Sequence, residues 1–85
     1  MTDTAARDLI AAFITDRLSA RIGVQPAAID RDADLIELGV KSIDAVIVSG
    51  DLEDRFGIEI DPTLVFEHRT VNRIAEVVAT DLPDQ

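Results

Sequence analysis

The 85-residue chain has no cysteine, no tryptophan and no tyrosine, a single histidine, and 8 lysines and arginines against 17 aspartates and glutamates. Without cysteine there is no disulfide framework, no thiolate metal site and no thiol chemistry belonging to the chain itself. With His68 as the only imidazole, the common zinc ligand sets are excluded as well, and no metal site is expected. The shortage of basic residues leaves a formal charge of −9, which opposes binding to nucleic acid or to an anionic membrane. A protein partner is therefore expected to present a basic surface. No apolar run approaches the ~20 residues of a membrane span. The N-terminal residues, with Asp3, Arg7 and Asp8, lack the layout of a signal peptide. These absences lead to the expectation of a soluble, cytoplasmic, monomeric protein.

Eighty-five residues leave room for one domain spanning 1–85, and exclude a doubly wound nucleotide fold or a large catalytic cleft. The 47% hydrophobic content, with only 4% aromatic, suffices for a core. A chain this short is stabilised only marginally by burial, so an apolar side chain left outside needs another reason to be there.

Apolar residues recur at spacings of three and four in three stretches, whereas strict alternation is confined to fragments such as Ile58 and Ile60. The class is all-α, a small four-helix bundle with three longer helices and a short third one. Thr2, Asp3 and Thr4 are N-cap candidates for a first helix with the stripe Leu9, Ile10, Phe13, Ile14, Leu18 and Ile22, stopped by Gly23. From Gly23 to Lys41 the periodicity lapses into a long connection containing Pro26, Gly39 and the aspartates 30, 32 and 34. Val24, Ile29, Leu35, Ile36 and Leu38 are spaced through it as pins, which predicts an ordered loop between helices 1 and 2. Ser42 is expected to cap a second helix that runs to about Phe56 and ends at Gly57. Asp61 and Pro62 start the short third helix, which reaches about Glu67. Thr70 caps a fourth with the stripe Val71, Ile74, Val77 and Val78, closed by Leu82 and Pro83. Neither a repeat nor a linker is present, so the chain is expected to be either a free-standing protein or a cleanly excised module, and Met1 favours the former.

Charge is concentrated in the middle of the chain, where residues 30–67 hold 11 acids against 3 bases. At 100° per residue the second helix places Ala45, Val48, Ser49, Leu52 and Phe56 on one arc, a sufficient core face. Ile43 and Ile47 fall on the far arc with Gly50 and Asp54, bordered by Asp44 and Asp51. Two branched hydrophobes opposite the core, rimmed by carboxylates, form the layout of a docking surface for an apolar groove with a basic rim. The plainer reading of the same residues is a solvated acidic face, with Ile43 tucked against the long loop and Ile47 an incidental surface residue.

Ser42 is the one nucleophile of interest. As a helix N-terminal serine it reads first as a cap, although free amides and a positive dipole end also favour a phosphate attached there. No catalytic residue is assigned. The segment Gly39-Val40-Lys41-Ser42-Ile43-Asp44 lacks the glycine two residues beyond the serine that a nucleophile elbow needs. Lys41-Ser42 lacks the glycines of a phosphate-binding loop, with Leu35 and Val40 in their places. The run beginning at Asp30 has Leu35 and Lys41 where a calcium loop requires glycine and glutamate, so its aspartates read as turn formers.

The string Asp34-Leu35-Ile36-Glu37-Leu38-Gly39-Val40-Lys41-Ser42-Ile43-Asp44-Ala45-Val46 resembles the phosphopantetheine attachment motif of acyl carrier proteins. Leu52-Glu53-Asp54-Arg55-Phe56-Gly57 and the segment from Pro62 to Val71 are similar to polyketide-synthase carrier domains in particular. The resemblance covers the chain from about residue 34 to 78. It implies a 4′-phosphopantetheine on Ser42, installed from coenzyme A by a phosphopantetheinyl transferase, and acyl groups held on that arm as thioesters. Partners would be an acyltransferase, a ketosynthase or an acyl- or aminoacyl-activating ligase, docking on Ile43, Asp44, Ile47, Asp51, Glu53 and Asp54. The chain would be a tethered substrate for enzymes of polyketide-type biosynthesis, not an enzyme.

Two residues depart from the family pattern. Lys41 stands where carriers usually have aspartate, which removes a negative charge beside the phosphate and offers it a cation. Ile47 stands where fatty-acid carriers commonly have an acid, which implies a more apolar, less salt-sensitive interface. A carrier of aminoacyl or peptidyl groups shares the same features. An acidic interaction module in which Ser42 only caps its helix is the alternative from another class.

Overall fold

The computed structural model describes residues 4–81, and the expected caps Thr2 and Asp3 and the closing Leu82 and Pro83 lie outside the described residues. Four α-helices follow in order: α1 Thr4–Ile22, α2 Ser42–Phe56, α3 Thr63–His68 and α4 Val71–Asp81, with no strand among the described residues. The all-α bundle with a short third helix agrees with the sequence. Helix α1 is the central element, packing most extensively on α4 and then on α2, while α3 packs on α4.

Helix α1 buries Ile10, Ala11, Ile14 and Leu18 almost completely, the one-face spacing of 3.6 residues per turn. Leu9, expected in the stripe, is instead 55% exposed. Nine residues separate it from Leu18, two and a half turns, which puts the two on opposite sides, and Ala11 takes its place in the core. Thr15 and Ser19 are also buried, and their hydroxyls donate to the carbonyls of Ala11 and Asp16 at 2.7 Å each. The helix ends as expected at Gly23, whose φ of 77° is a left-handed cap. The N–H groups of Gly23 and Val24 both donate to the Ser19 carbonyl. Phe13 meets Phe56 edge-to-face at 5.6 Å, joining the core side of α1 to the last residue of α2.

The long connection is ordered, as expected, and contains a 3-10 helix at Pro26–Ala28 that periodicity does not reveal. Ile29 and Leu35 are buried pins and Leu38 packs partly against the core, but Val24 and Ile36 are 43% and 45% exposed. Ile36 is turned out because Leu35 beside it points inward and the Ile36 N–H donates to Asp34 Oδ1 at 2.9 Å. Val24 lies where the chain leaves the helix past its left-handed glycine. Val40, not among the expected pins, is buried instead. Asp30 and Asp34 form side-chain turns, accepting the N–H of Asp32 and of Ile36.

The other half of the loop is fastened to the corner between α3 and α4. The Leu35 N–H donates to the Arg69 carbonyl at 2.7 Å, and the Arg69 guanidinium pairs with Asp34. The Asn72 N–H donates to the Arg31 carbonyl at 3.0 Å, and its side chain donates to Asp32 at 2.8 Å. Helix α3 begins after Pro62, with Asp61 accepting both the N–H and the hydroxyl of Thr63. Thr70 caps α4 as expected, its hydroxyl accepting the Arg73 N–H, and Val71, Ile74, Ala75 and Val78 enter the core.

Candidate functional site

The chain approaches α2 through a tight reversal. Gly39 has a φ of 98°, its N–H donates to the Ile36 carbonyl, and the Val40 N–H donates to the Leu35 carbonyl. Val40 then drops into the core, and the next two residues emerge at the surface. Lys41 is extended, with φ −106° and ψ 169°, and is the N-cap of α2. Ser42 is therefore the first helical residue and not the expected cap, because a cap needs extended backbone and Ser42 has already entered the helix. Its side chain is exposed, and no side-chain hydrogen bond among the described residues engages its hydroxyl.

The capping acceptor is Asp44. Its Oδ2 accepts the Lys41 N–H at 3.0 Å, the return half of a capping box, and its Oδ1 accepts Arg21 Nε at 3.0 Å from the last turn of α1. The Lys41 N–H and the Arg21 guanidinium hold the Asp44 carboxyl below its ordinary value, against the opposing effect of burial. Asp44 is only 7% exposed, so it is not an acid on the docking face as its wheel position suggests. Glu53 is likewise occupied, half-buried and accepting the Ile60 N–H at 2.9 Å.

Of the remaining expected face residues, Ile43 is 58% exposed and Asp54 is exposed, whereas Asp51 is half-buried. Ile47 is half-buried beside Gly50. Val46, which the wheel does not single out, is 51% exposed. It lies four residues beyond Ser42, one helical turn away on the same side, and that spacing is the signal available to find it. Ser42, Ile43 and Val46 thus form one exposed strip at the start of α2. The core arc is as expected, with Ala45, Val48, Ser49 and Leu52 buried and Phe56 packed against them. Ser49 Oγ has no hydrogen-bond partner among the described residues.

Beside Ser42, between the end of α1 and the start of α2, an open cleft of about 430 Å³ is lined by Arg21, Ile22, Leu38, Gly39, Lys41, Ile43 and Asp44. Two cations and one carboxylate give this corner the opposite sign to the chain as a whole. His68 ends α3 and lines a different cleft, with Asp32, Arg69 and Arg73. No helix among the described residues is long and apolar enough to cross a membrane.

The family described as "Phosphopantetheine attachment site" matches residues 12–78. The chain is 38% identical over 71 residues to a phenolphthiocerol/phthiocerol polyketide synthase of Mycobacterium tuberculosis, covering 84% of the chain and 4% of that protein. To the erythronolide synthase EryA3 of Saccharopolyspora erythraea it is 39% identical over 71 residues, covering 82% of the chain and 2% of the synthase. The chain therefore spans only a few per cent of the length of these curated relatives. A free-standing peptidyl carrier protein from an uncharacterized Acinetobacter baumannii secondary metabolic pathway superposes with a TM-score of 0.87 at 35% identity, covering 91% of this chain and 96% of that one. An acyl carrier protein from Anabaena with a variant phosphopantetheinylation-site sequence superposes with a TM-score of 0.79 at 26% identity, covering 92% and 89%. Matched over most of its length by the family and by two solved carriers, the chain belongs to the phosphopantetheine-binding carrier proteins.

Proposed function

We propose that Ser42 is the attachment residue, and that this chain carries acyl intermediates between enzymes of polyketide-type biosynthesis. One observation carries the reading: within the matched span, Ser42 presents an exposed, unengaged hydroxyl at the first position of α2, on a turn held from both sides. The surroundings fit a phosphodiester. The free N–H groups of the α2 start and the ammonium of Lys41 favour an anion at this position, in an otherwise acidic chain. In the transfer, Ser42 Oγ attacks the β-phosphorus of coenzyme A, its proton passes to a base of the transferase, and adenosine 3′,5′-bisphosphate leaves. The arm, once attached, supplies the thiol that the cysteine-free chain lacks and holds acyl groups as thioesters. Because coenzyme A is the donor, the reading places the chain in the cytoplasm.

The exposed strip of α2 serves as the docking face in this reading. Ile43, Val46 and Ile47 offer apolar contact, and Asp51 and Asp54 meet a basic rim on the transferase, acyltransferase or ketosynthase. The polyketide synthases to which the chain is similar support an acyl cargo. Loading assays with acyl- and aminoacyl-activating enzymes compare that cargo with an aminoacyl one.

The test is the intact mass of the protein after incubation with coenzyme A and a broad-specificity phosphopantetheinyl transferase. Wild type gains one phosphopantetheine and Ser42→Ala gains none. Because Ser42 is not the side-chain cap, Ser42→Ala stays within about 0.5 kcal/mol of wild type in stability. A cap role would cost about 1 kcal/mol. Modification of the alanine variant, or of neither protein even when Lys41→Asp restores the usual family residue, defeats the reading.

A further inference from the structure

Asp44 turns away from the docking face and joins two parts of the chain that are distant in sequence. One carboxylate oxygen holds Arg21, in the last turn of α1, and the other holds the backbone N–H of Lys41, the residue before Ser42. The Asp44 side chain is 9% exposed and that of Arg21 38%, so the bond is shielded on the carboxylate side and partly open on the other. Lys41 has no side-chain oxygen with which to cap the helix, so at the exit of the turn the side-chain tie is the Asp44 carboxylate on the Lys41 N–H. The turn needs a tie, because Gly39, two residues earlier, has the left-handed backbone at which a chain pivots most freely. Val40 fixes the turn from the core side, and Asp44 fixes it from the side of α1.

We propose that Asp44, held by Arg21, is a positioning residue that fixes Lys41 and Ser42 against the end of α1, so that the Ser42 hydroxyl meets the transferase in one geometry. The proposal rests on Ser42 being the residue modified. It gives Arg21, on a different helix, a role in modification through Asp44. It also makes the two side chains act as a unit, so that either substitution breaks the same Arg21–Asp44 link to α1.

The experiment measures kcat/KM for phosphopantetheine transfer to wild type, Arg21→Gln, Asp44→Asn and the double variant, well below their melting temperatures. Arg21→Gln leaves the Asp44 carboxylate intact, and Asp44→Asn keeps an acceptor for the Lys41 N–H. Each single variant is expected to lower kcat/KM about fivefold, at the low end of couplings between distinct sites in a protein. The double variant is expected to be no slower than either single one. In the unmodified proteins, hydrogen exchange at the Lys41 amide rises in both single variants, a readout that needs no transferase.

Direct contact of Asp44 with the transferase would slow Asp44→Asn alone and leave Arg21→Gln at the wild-type rate, which overturns the proposal. Independent contacts by both residues would make the losses multiply to about 25-fold in the double variant, which overturns it too. Equal rates in all four proteins, whatever the melting temperatures, reduce the pair to a structural one. Should Asp44→Asn not fold, Arg21→Gln decides alone through its rate and its Lys41 exchange. Failure of wild type to be modified overturns the reading of Ser42 and the proposal together, whereas modification with four equal rates overturns the proposal only.

Discussion

Leu35 should behave as a core residue although it belongs to no helix. It is 1% exposed, its N–H donates to the Arg69 carbonyl, and its own carbonyl accepts the Val40 N–H, so one residue links the loop to the core, to the α3–α4 corner and to the turn before Ser42. Truncation to alanine removes buried methyl groups and leaves a cavity, at a cost of about 2–5 kcal/mol for a fully buried leucine. A domain of this size holds about 4–13 kcal/mol in total. A loss of about 3 kcal/mol lowers the melting temperature by roughly 12–24 °C, at about 4–8 °C per kcal/mol for small domains. The adjacent Ile36, 45% exposed, is the internal control, and Ile36→Ala is expected to cost less than about 1 kcal/mol. Thermal and urea melts followed by far-ultraviolet circular dichroism measure both. If Leu35→Ala costs no more than Ile36→Ala, the loop is not anchored through its buried side chains and the account of how it positions α2 is wrong.

Three further outcomes can be checked. The Asp44 carboxyl is held below its ordinary value by the Lys41 N–H and Arg21, as that of Asp34 is by Arg69 and the Ile36 N–H. Their stabilisation is complete above the unfolded value of about 3.9 and is lost as pH falls through the lower folded values. Asp44→Asn should therefore flatten the fall of melting temperature below about pH 4, and curves that stay parallel to wild type would show that this carboxylate does not contribute to acid unfolding. On the docking face, Ile47→Glu, Val46→Asp, or Asp51→Lys with Asp54→Lys should each lower turnover by cognate partner enzymes about tenfold with helicity unchanged, and unaltered turnover would remove α2 from the interface. Ser49→Ala should leave stability unchanged or raise it by up to about 1 kcal/mol, since the buried hydroxyl has no partner to lose, and a lower urea midpoint would reveal one.

The helices are legible in the sequence because their signals are local. Gly23 and Gly57 stop α1 and α2 through their own left-handed backbone, and Thr70 caps α4 with its own hydroxyl. The outward and inward sides are less legible where neighbours compete for one arc. Leu9 suits the core by its type, but two and a half turns separate it from Leu18, and Ala11 is the better fit. Apolar residues in a loop suggest burial, which makes pins of Ile36 and Val24, but a chain in turns alternates its sides, and Ile29, Leu35 and Val40 are the ones turned inward. The serine is marked by its motif, yet its helical position differs by one residue from the expected cap because Lys41 is an unusual cap. Asp44 cannot be read correctly from the wheel at all. Whether a bordering acid faces solvent or a guanidinium depends on Arg21, 23 residues earlier, and only packing brings the two together.

Arg69 has a left-handed backbone, with φ of 65°, alone among the described residues other than glycine. Glycine at that corner would relieve roughly 1 kcal/mol of backbone strain. The arginine is retained in this shape by contacts from elsewhere, its carbonyl taking the Leu35 N–H and its guanidinium reaching Asp34, 35 residues away. The bend between α3 and α4 is thus held both by local bonds, the Arg69 N–H to the Val65 carbonyl and the Thr70 N–H to the His68 carbonyl, and by these distant ones. Because Arg31, Asp32, Asp34 and Leu35 are bonded to Arg69 and Asn72, loop and corner are expected to open together, with matched hydrogen-exchange protection.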